Sequence, residues 1–361
     1  YGVNVSGRTI GGPTEATVTG IITVAASNVQ IDGFTLTNPN QPYAVQVNSA
    51  SSNVTIGHNL IDSVGGASYT ANVHGIALSQ GPDSVTIADN AFSNISVNNK
   101  SVSAVGVLDS LSANSSTGLV IQNNTFSNIT SATKGAYGVI INNAAGAPAA
   151  QIKDNTFTGL SGGWTHAIGL EGPTLNAVVT GNVFSGLTAT GADNSAVFFE
   201  KNLNGGTVTV QCNQFNGAAF YGVAIHPNDL PGGSNGYNYV VTAEDNWWND
   251  ASGPYHPIAN PTGTGALVGT NVDFDPWLTS NANCTSGTGN WLNVTTSVYD
   301  DLQDSLDNAS PGDIIRAVGT SPLAGGATAN TAGVIIDLNG KTVGPGSPAF
   351  TIVADDVTIN G

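Results

Sequence analysis

The sequence predicts an all-β chain wound as a parallel β-helix, a solenoid with an asparagine ladder, and two observations carry that expectation. The first is a twelve-residue phrase written again and again: VTIADNAFSNIS at 85–96, LVIQNNTFSNIT at 119–130, then AQIKDNTFTGLS, AVVTGNVFSGLT and VTVQCNQFNGAA. Apolar and polar residues alternate within it with period two, the pattern of a strand. The second is spacing. The marker asparagine falls at Asn59, Asn90, Asn124, Asn155, Asn182, Asn213 and Asn246, in steps of 31, 34, 31, 27, 31 and 33 residues. A fixed strand phrase on a loose period of this length is the mark of stacked repeats. No segment of the repeats carries the 3.6-residue stripe of a helical repeat, and a propeller blade needs four strands and about 40 residues.

The elements follow in chain order. ITVAASNVQIDGFTLT at 22–37 opens the stack, with Phe34 in the place of the asparagine, and about eight coils are expected in all. An apolar residue stands two positions after each marker (Ile61, Phe92, Phe126, Phe157, Phe184, Phe215, Trp248) and another three before it (Ile56, Ile87, Ile121, Ile152, Val179, Val210, Ala243). Each can be buried only against its counterpart in the next coil, about 4.8 Å away. The asparagines are expected to stack at a turn, amide on amide. A second strand separates the copies: HGIALS, VGVLDS, GVIINN, AIGLEG, AVFFEK, GVAIHP.

These asparagine-marked coils resemble the right-handed β-helix proteins of the pectate-lyase-like superfamily. The stretch NWWNDASGP, followed by NPTGTGALVGTNVDFDPWL, is similar to the closing segment of many secreted β-helix proteins, with Asn249 where glycine is usual. The resemblance covers roughly residues 1–286. It implies a right-handed coil and a C-terminal cap, and no particular activity. It also implies that a cysteine after Pro-Trp-Leu bridges back to a coil, as Cys284 and Cys212 would. Composition alone reads these two cysteines as one disulfide in an oxidising compartment, the alternative being two buried thiols.

Beyond a Gly/Ser/Asn-rich linker the chain starts again, so the domains are read as 1–286 and 287–361. Val298, Leu302, Leu306 and Ala309 have helical spacing, with Ser297 as N-cap and Asp300 and Asp301 in the first turn. In the resembled family such a helix caps the start of a coil. FTIVADDVTING at 350–361 then matches ITVAASNVQIDG at 22–33, an offset of 328. The C-terminal segment is therefore expected to begin a second or neighbouring β-helix, capping the next subunit or continuing a tandem array.

Charge bounds the function. Seven Lys and Arg stand against 24 Asp and Glu, a formal net charge of −17, so no basic stripe exists to bind nucleic acid or an anionic membrane. No apolar run approaches the roughly 18 residues of a membrane span. Charged residues make up only 9% of the chain, leaving Asn, Thr, Ser and Gly to form the polar surface. Asn-X-Ser/Thr sequons recur, among them those at Asn4, Asn53, Asn94, Asn114, Asn123, Asn128, Asn283, Asn293 and Asn308.

Catalytic candidates are few. Aligning the second strands places Ser79, Asp109, Asn142, Glu171, Glu200 and His226 in one outward column, with His166 nearby. Glu171 and Glu200 on neighbouring coils have the spacing of a retaining glycosidase pair, about 5 Å. The competing reading is a solvent-facing polar column at strand ends, and it is preferred. The lyase chemistry of the resembled family lacks its arginine here: the central coils offer only Lys100, Lys134, Lys153 and Lys201. No cofactor is expected. Asp273 and Asp275 in VDFDPW are the candidates for Ca²⁺, set against plain solvent exposure. Outward Val107, Ile140 and Phe198 are read as a lateral contact or carbohydrate groove. The expected function is an extracellular or cell-surface structural protein that pairs with itself head to tail into a filament or surface layer. The alternative is a carbohydrate-active β-helix, a glycoside hydrolase, lyase or glycan-binding adhesin that meets a cell-surface or extracellular polysaccharide.

Overall fold

The computed structural model describes residues 15–49, 51–79, 81–108, 118–142, 149–172, 176–191, 193–200, 208–234, 240–281, 291–293, 298–300, 302–317, 326–338, 340–343 and 350–360. The chain divides into two compact units, residues 1–281 and 282–361, slightly before the boundary read from the sequence.

In the first unit three all-parallel sheets of ten, nine and nine strands run the length of the stack. We call them the side, front and back sheets. A typical coil lays down one strand in each sheet, in the order side, front, back; in two coils the side strand is split into two short pieces. Val102–Leu108 of the front sheet lies between Val73–Ser79 and Gly135–Asn142, with Val105 opposite both Ile76 and Val139. The arrangement is compatible with a parallel β-helix.

The sequence suggested two strands per coil; the structure has three. The twelve-residue phrase is broken at its asparagine, so Asp83–Ala88 belongs to the back sheet and Ala91–Val97 to the side sheet. The break has a local cause. The residue before each marker is left-handed: His58, Asp89, Asn123, Asp154, Gly181, Cys212 and Asp245 have φ between 53° and 68°. One left-handed residue turns a strand sharply, and Asn, Asp and Gly adopt it most readily.

The marker asparagines are buried and hydrogen-bonded along the stack. Asn90 Nδ2 donates to Asn124 Oδ1 at 3.0 Å, Asn124 to Asn155 at 3.0 Å and Asn155 to Asn182 at 3.0 Å. The same oxygens accept the backbone N–H of the preceding marker, and each Nδ2 also reaches a strand carbonyl, such as Asn155 to Ile121 at 2.9 Å. In the first coil the Phe34 N–H donates to Asn59 Oδ1 at 2.9 Å, so Phe34 stands where a marker would.

Beside this column the rings of Phe92, Phe126, Phe157, Phe184 and Phe215 stack with centroids 4.5–5.4 Å apart, ending on Trp248 at 4.7 Å. Small residues of the front sheet face them. At Gly138 an added Cβ would come within 2.5 Å of the Phe157 ring.

The second unit has its own core around Trp291, Leu302, Leu306, Ile315 and Ile336. Ile314–Ala317, Ile335–Asp337 and Thr358–Asn360 pair in parallel, as do Ala327–Ala329 and Phe350–Ile352. The expected helix is shorter than its spacing suggested, spanning Leu302–Asp307. Val298–Asp300 is a strand, because it pairs antiparallel with Trp291–Asn293. Ser297 and Asp301 lie outside the described residues.

Two substitutions test this packing. Asn155→Leu leaves the Asn124 backbone N–H without its acceptor, takes one bond each from the Asn124 amide, the Asn182 oxygen and the Ile121 carbonyl in a buried turn, and is expected to cost on the order of 3 kcal/mol. Gly138→Ala pushes a methyl into the Phe157 ring and is expected to cost about 1–3 kcal/mol. Both are read from urea unfolding midpoints, and an unchanged midpoint for either contradicts the corresponding contact.

Candidate functional site

The candidate site lies on the outer face of the front sheet. Inward positions on this sheet are Ile76, Val105, Val139, Ile168 and Val197, and two residues on, Leu78, Val107, Ile141, Leu170 and Phe199; all are in the core. Between them Ala77, Gly106, Ile140, Gly169 and Phe198 share one outward register. Val107, read as outward from the sequence, is therefore a core residue. Ile140 and Phe198 do occupy the outward register.

A further outward column flanks this one: Tyr43, His74, Ser103, Tyr137, His166, Ser195 and Tyr221. Its members fold over the small residues beside them. An added Cβ on Gly106 would meet the His74 ring at 2.6 Å, and one on Gly169 would meet the Tyr137 ring at 3.0 Å. The same device is built twice. His74 Nδ1 lies 2.7 Å from Ser103 Oγ, and His166 Nδ1 lies 2.7 Å from Ser195 Oγ. The His166 ring stacks on Phe198 at 3.9 Å, and the Trp164 Nε1–H donates to Tyr137 Oη at 2.9 Å.

Burial sets the protonation of this face. It pushes His74 down to about 4. It pushes His166 down to about 3, with nearby His226 adding to the effect. Both rings are neutral near pH 7. Tyr137 is held well above its ordinary value, by burial first, then by the Glu171 carboxylate and, more weakly, Glu200. Because Ser103 and Ser195 are buried, 0% and 1% exposed, neither hydroxyl is open to a substrate, and the His–Ser pairs serve packing.

The sequence-derived column is partly assembled. Ser79, Leu108, Asn142, Glu171 and Glu200 share one register. Leu108, not Asp109, holds the second place, and Asp109 lies outside the described residues. Glu171 is 5% exposed and accepts from Asn142 Nδ2 at 3.3 Å, so it is no solvent-facing strand end. Glu200 is half-buried on the next coil. His226 follows Ile225, the partner of Phe199, and its Nδ1 accepts the Asn228 N–H at 3.2 Å at the head of a short turn. Glu171 and Glu200 thus stand side by side on adjacent coils, and both act electrostatically on the Tyr137 phenol. A depression at the corner between side and front strands, lined by Ser96, Asn98, Ser131 and Thr190, offers no titratable side chain.

Asp273 and Asp275 are exposed beside Glu244 and Asp245. Burial, then Asp273 and Asp275, raise Glu244; burial, then Glu244, raise Asp245 to about 6. Among the described residues no three His, Cys, Asp or Glu side chains gather in a metal-holding group. Cys212 occupies a left-handed corner and is buried; its expected partner Cys284 lies outside the described residues. Among the described residues no helix is long and apolar enough to cross a membrane. No family model, curated protein or solved structure matches the chain.

The sequence reading noted His166 but missed His74, Ser103, Tyr137, Trp164 and Ser195. A signal existed: VHGIALS and THAIGLE carry histidine at the same strand position, and VSAVGVL and NSAVFFE carry serine there one coil later.

The two buried histidines fix the sign of one pH effect. Their folded values lie below the ordinary 6.5, so the stability they allow is complete above pH 6.5 and is lost as pH falls toward 4 for His74 and 3 for His166. The full loss is on the order of 3 kcal/mol for His74 alone. Asp245, raised in the fold, acts in the opposite sense. Urea midpoints are expected to fall between pH 7 and 4.5, and His74→Gln is expected to flatten that fall. An equal slope in the variant contradicts the assignment.

Proposed function

We propose that the chain is an extracellular structural protein: right-handed β-helical units of the pectate-lyase-like kind, repeated and assembled head to tail into a filament or surface layer. One observation carries the reading. Strands Ile22–Val24 and Gln30–Asp32 of the first unit reappear 328 residues later as Phe350–Ile352 and Thr358–Asn360 of the second. The left-handed corner between them recurs too, at Asn28 with φ 60° and Asp356 with φ 59°. A chain whose second unit repeats strands and a corner of the first reads as serial copies of one unit, and copies joined by a contact that does not close form a fibre. A Cys212–Cys284 disulfide belongs to this reading, because such a bond persists in an oxidising exterior.

Negative-stain electron microscopy of the native material is expected to show rods or a lattice; compact separate particles at high concentration contradict the reading. A thiol titration of unfolded, unreduced protein is expected to find no free thiol, and two thiols remove the disulfide.

A second reading is favoured by Glu171 and Glu200 alone. Their strands are direct neighbours, about 4.8 Å apart, which suits the short carboxylate separation of retaining glycosidases. Under this reading the front face binds and cleaves a polysaccharide, and Glu200→Gln abolishes hydrolysis. Activity that survives in Glu200→Gln excludes it.

A further inference from the structure

Ten sequons are written in the chain, Asn99-Lys100-Ser101 among them, and the fold treats them very differently. Asn4, Asn114 and Asn283 lie outside the described residues. Asn293 is 4% exposed and its Nδ2 donates to the buried Asp313 carboxylate at 2.9 Å, so it is closed to modification in the folded protein. Four others are exposed but spend their amide nitrogen. Asn53 donates to Asn28 Oδ1 at 2.7 Å, Asn94 to Asp62 Oδ1 at 2.7 Å, Asn128 to Asn94 Oδ1 at 2.5 Å and Asn308 to the Asp304 carbonyl at 3.0 Å.

Asn99 is exposed as well, and its Oδ1 accepts the Thr133 hydroxyl at 3.3 Å. Asn123 is different. It is exposed at a left-handed corner with φ 55°, and only its backbone is engaged, its N–H donating to the Lys153 carbonyl at 3.2 Å. Thr125, which completes the sequon, is exposed as well. Between them Asn124 points the other way, into the buried asparagine column. The turn thus separates the two side chains: the structural amide goes inward and the sequon amide goes outward. A large substituent on Asn123 leaves every bond of the column in place.

We infer that Asn123 is a site of asparagine-linked glycosylation, and that Asn293 is not. The donor class is a sugar activated as a lipid diphosphate. The Asn123 Nδ2 forms a bond to the anomeric carbon, the bond from that carbon to the phosphate oxygen breaks, the amide loses one proton and the lipid diphosphate departs. A glycan here would hydrate a surface that has few charges of its own. The inference rests on the extracellular reading, because such transfer takes place on chains leaving the cytoplasm.

The test is glycopeptide mass spectrometry of the protein isolated from its source, with the cellular fraction recorded. The Asn123 peptide is expected to carry a sugar mass and the Asn293 peptide none. Expressed in the same host, Thr125→Ala is expected to lose the modification and Thr125→Ser to keep it. Both leave the Asn123 corner intact, so loss of folding does not confuse the result. A bare Asn123 overturns the assignment, as do glycans at Asn53, Asn94, Asn99, Asn128 or Asn308 with Asn123 unmodified. If the protein is extracellular and Asn123 is bare, only this inference fails. If the protein is intracellular and bare, the extracellular reading fails with it.

Discussion

The turn asparagine is the constraint from which the rest of the first unit follows. Each coil must turn from the back sheet to the side sheet within two residues, and the turn buries backbone donors that no strand can satisfy. Asn124 shows how this is met. Its oxygen accepts the Asn90 backbone N–H and the Asn90 amide, while its own amide reaches Asn155 and the Ile87 carbonyl. Buried polar groups are tolerated only when paired in this way. The pairing also fixes register, since a slip by one residue would break every bond in the column and turn each Phe out of the core.

From that register come the aromatic stack inside and the polar columns outside. A side chain on the front face meets the same position of the next coil, so chemistry is arranged in lines along the stack rather than in a pocket. His74 with Ser103, and His166 with Ser195, are two copies of one such line. Glu171 and Glu200 are another. The repeating backbone explains why these groups are adjacent without implying that they act together. That is why the scaffold reading rests on the recurrence of two strands and the corner between them, and the catalytic reading on two carboxylates only.

The sequence made the spacing legible because one residue type, asparagine, does one job in every coil, and apolar residues flank it at constant distances. The third strand was not legible. Its signal is a left-handed residue before each marker: Asp89, Asn123, Asp154, Gly181 and Asp245 are of the types that adopt that conformation readily, but His58 and Cys212 break the pattern. The facing of Val107 was misread for a related reason: Ala104 and Val105 are consecutive and both in the core, so simple alternation fails at the start of that strand. The helix at Leu302–Asp307 was overextended because Val298 fits a helical stripe as well as a strand. The burial of Glu171 was hidden for a different reason. Strand order predicts which face a residue occupies and says nothing about what folds over that face.

The central claim is that neighbouring asparagines are coupled and hold the coils in register. A double-mutant cycle measures this directly. Asn124→Ala and Asn155→Ala remove two members joined at 3.0 Å, whereas Asn59→Ala and Asn213→Ala remove two that share no bond. Unfolding free energies are expected to be non-additive by on the order of 1 kcal/mol or more for the first pair and additive within about 0.5 kcal/mol for the second. Additivity in both pairs would mean that the coils are stacked by their apolar core alone.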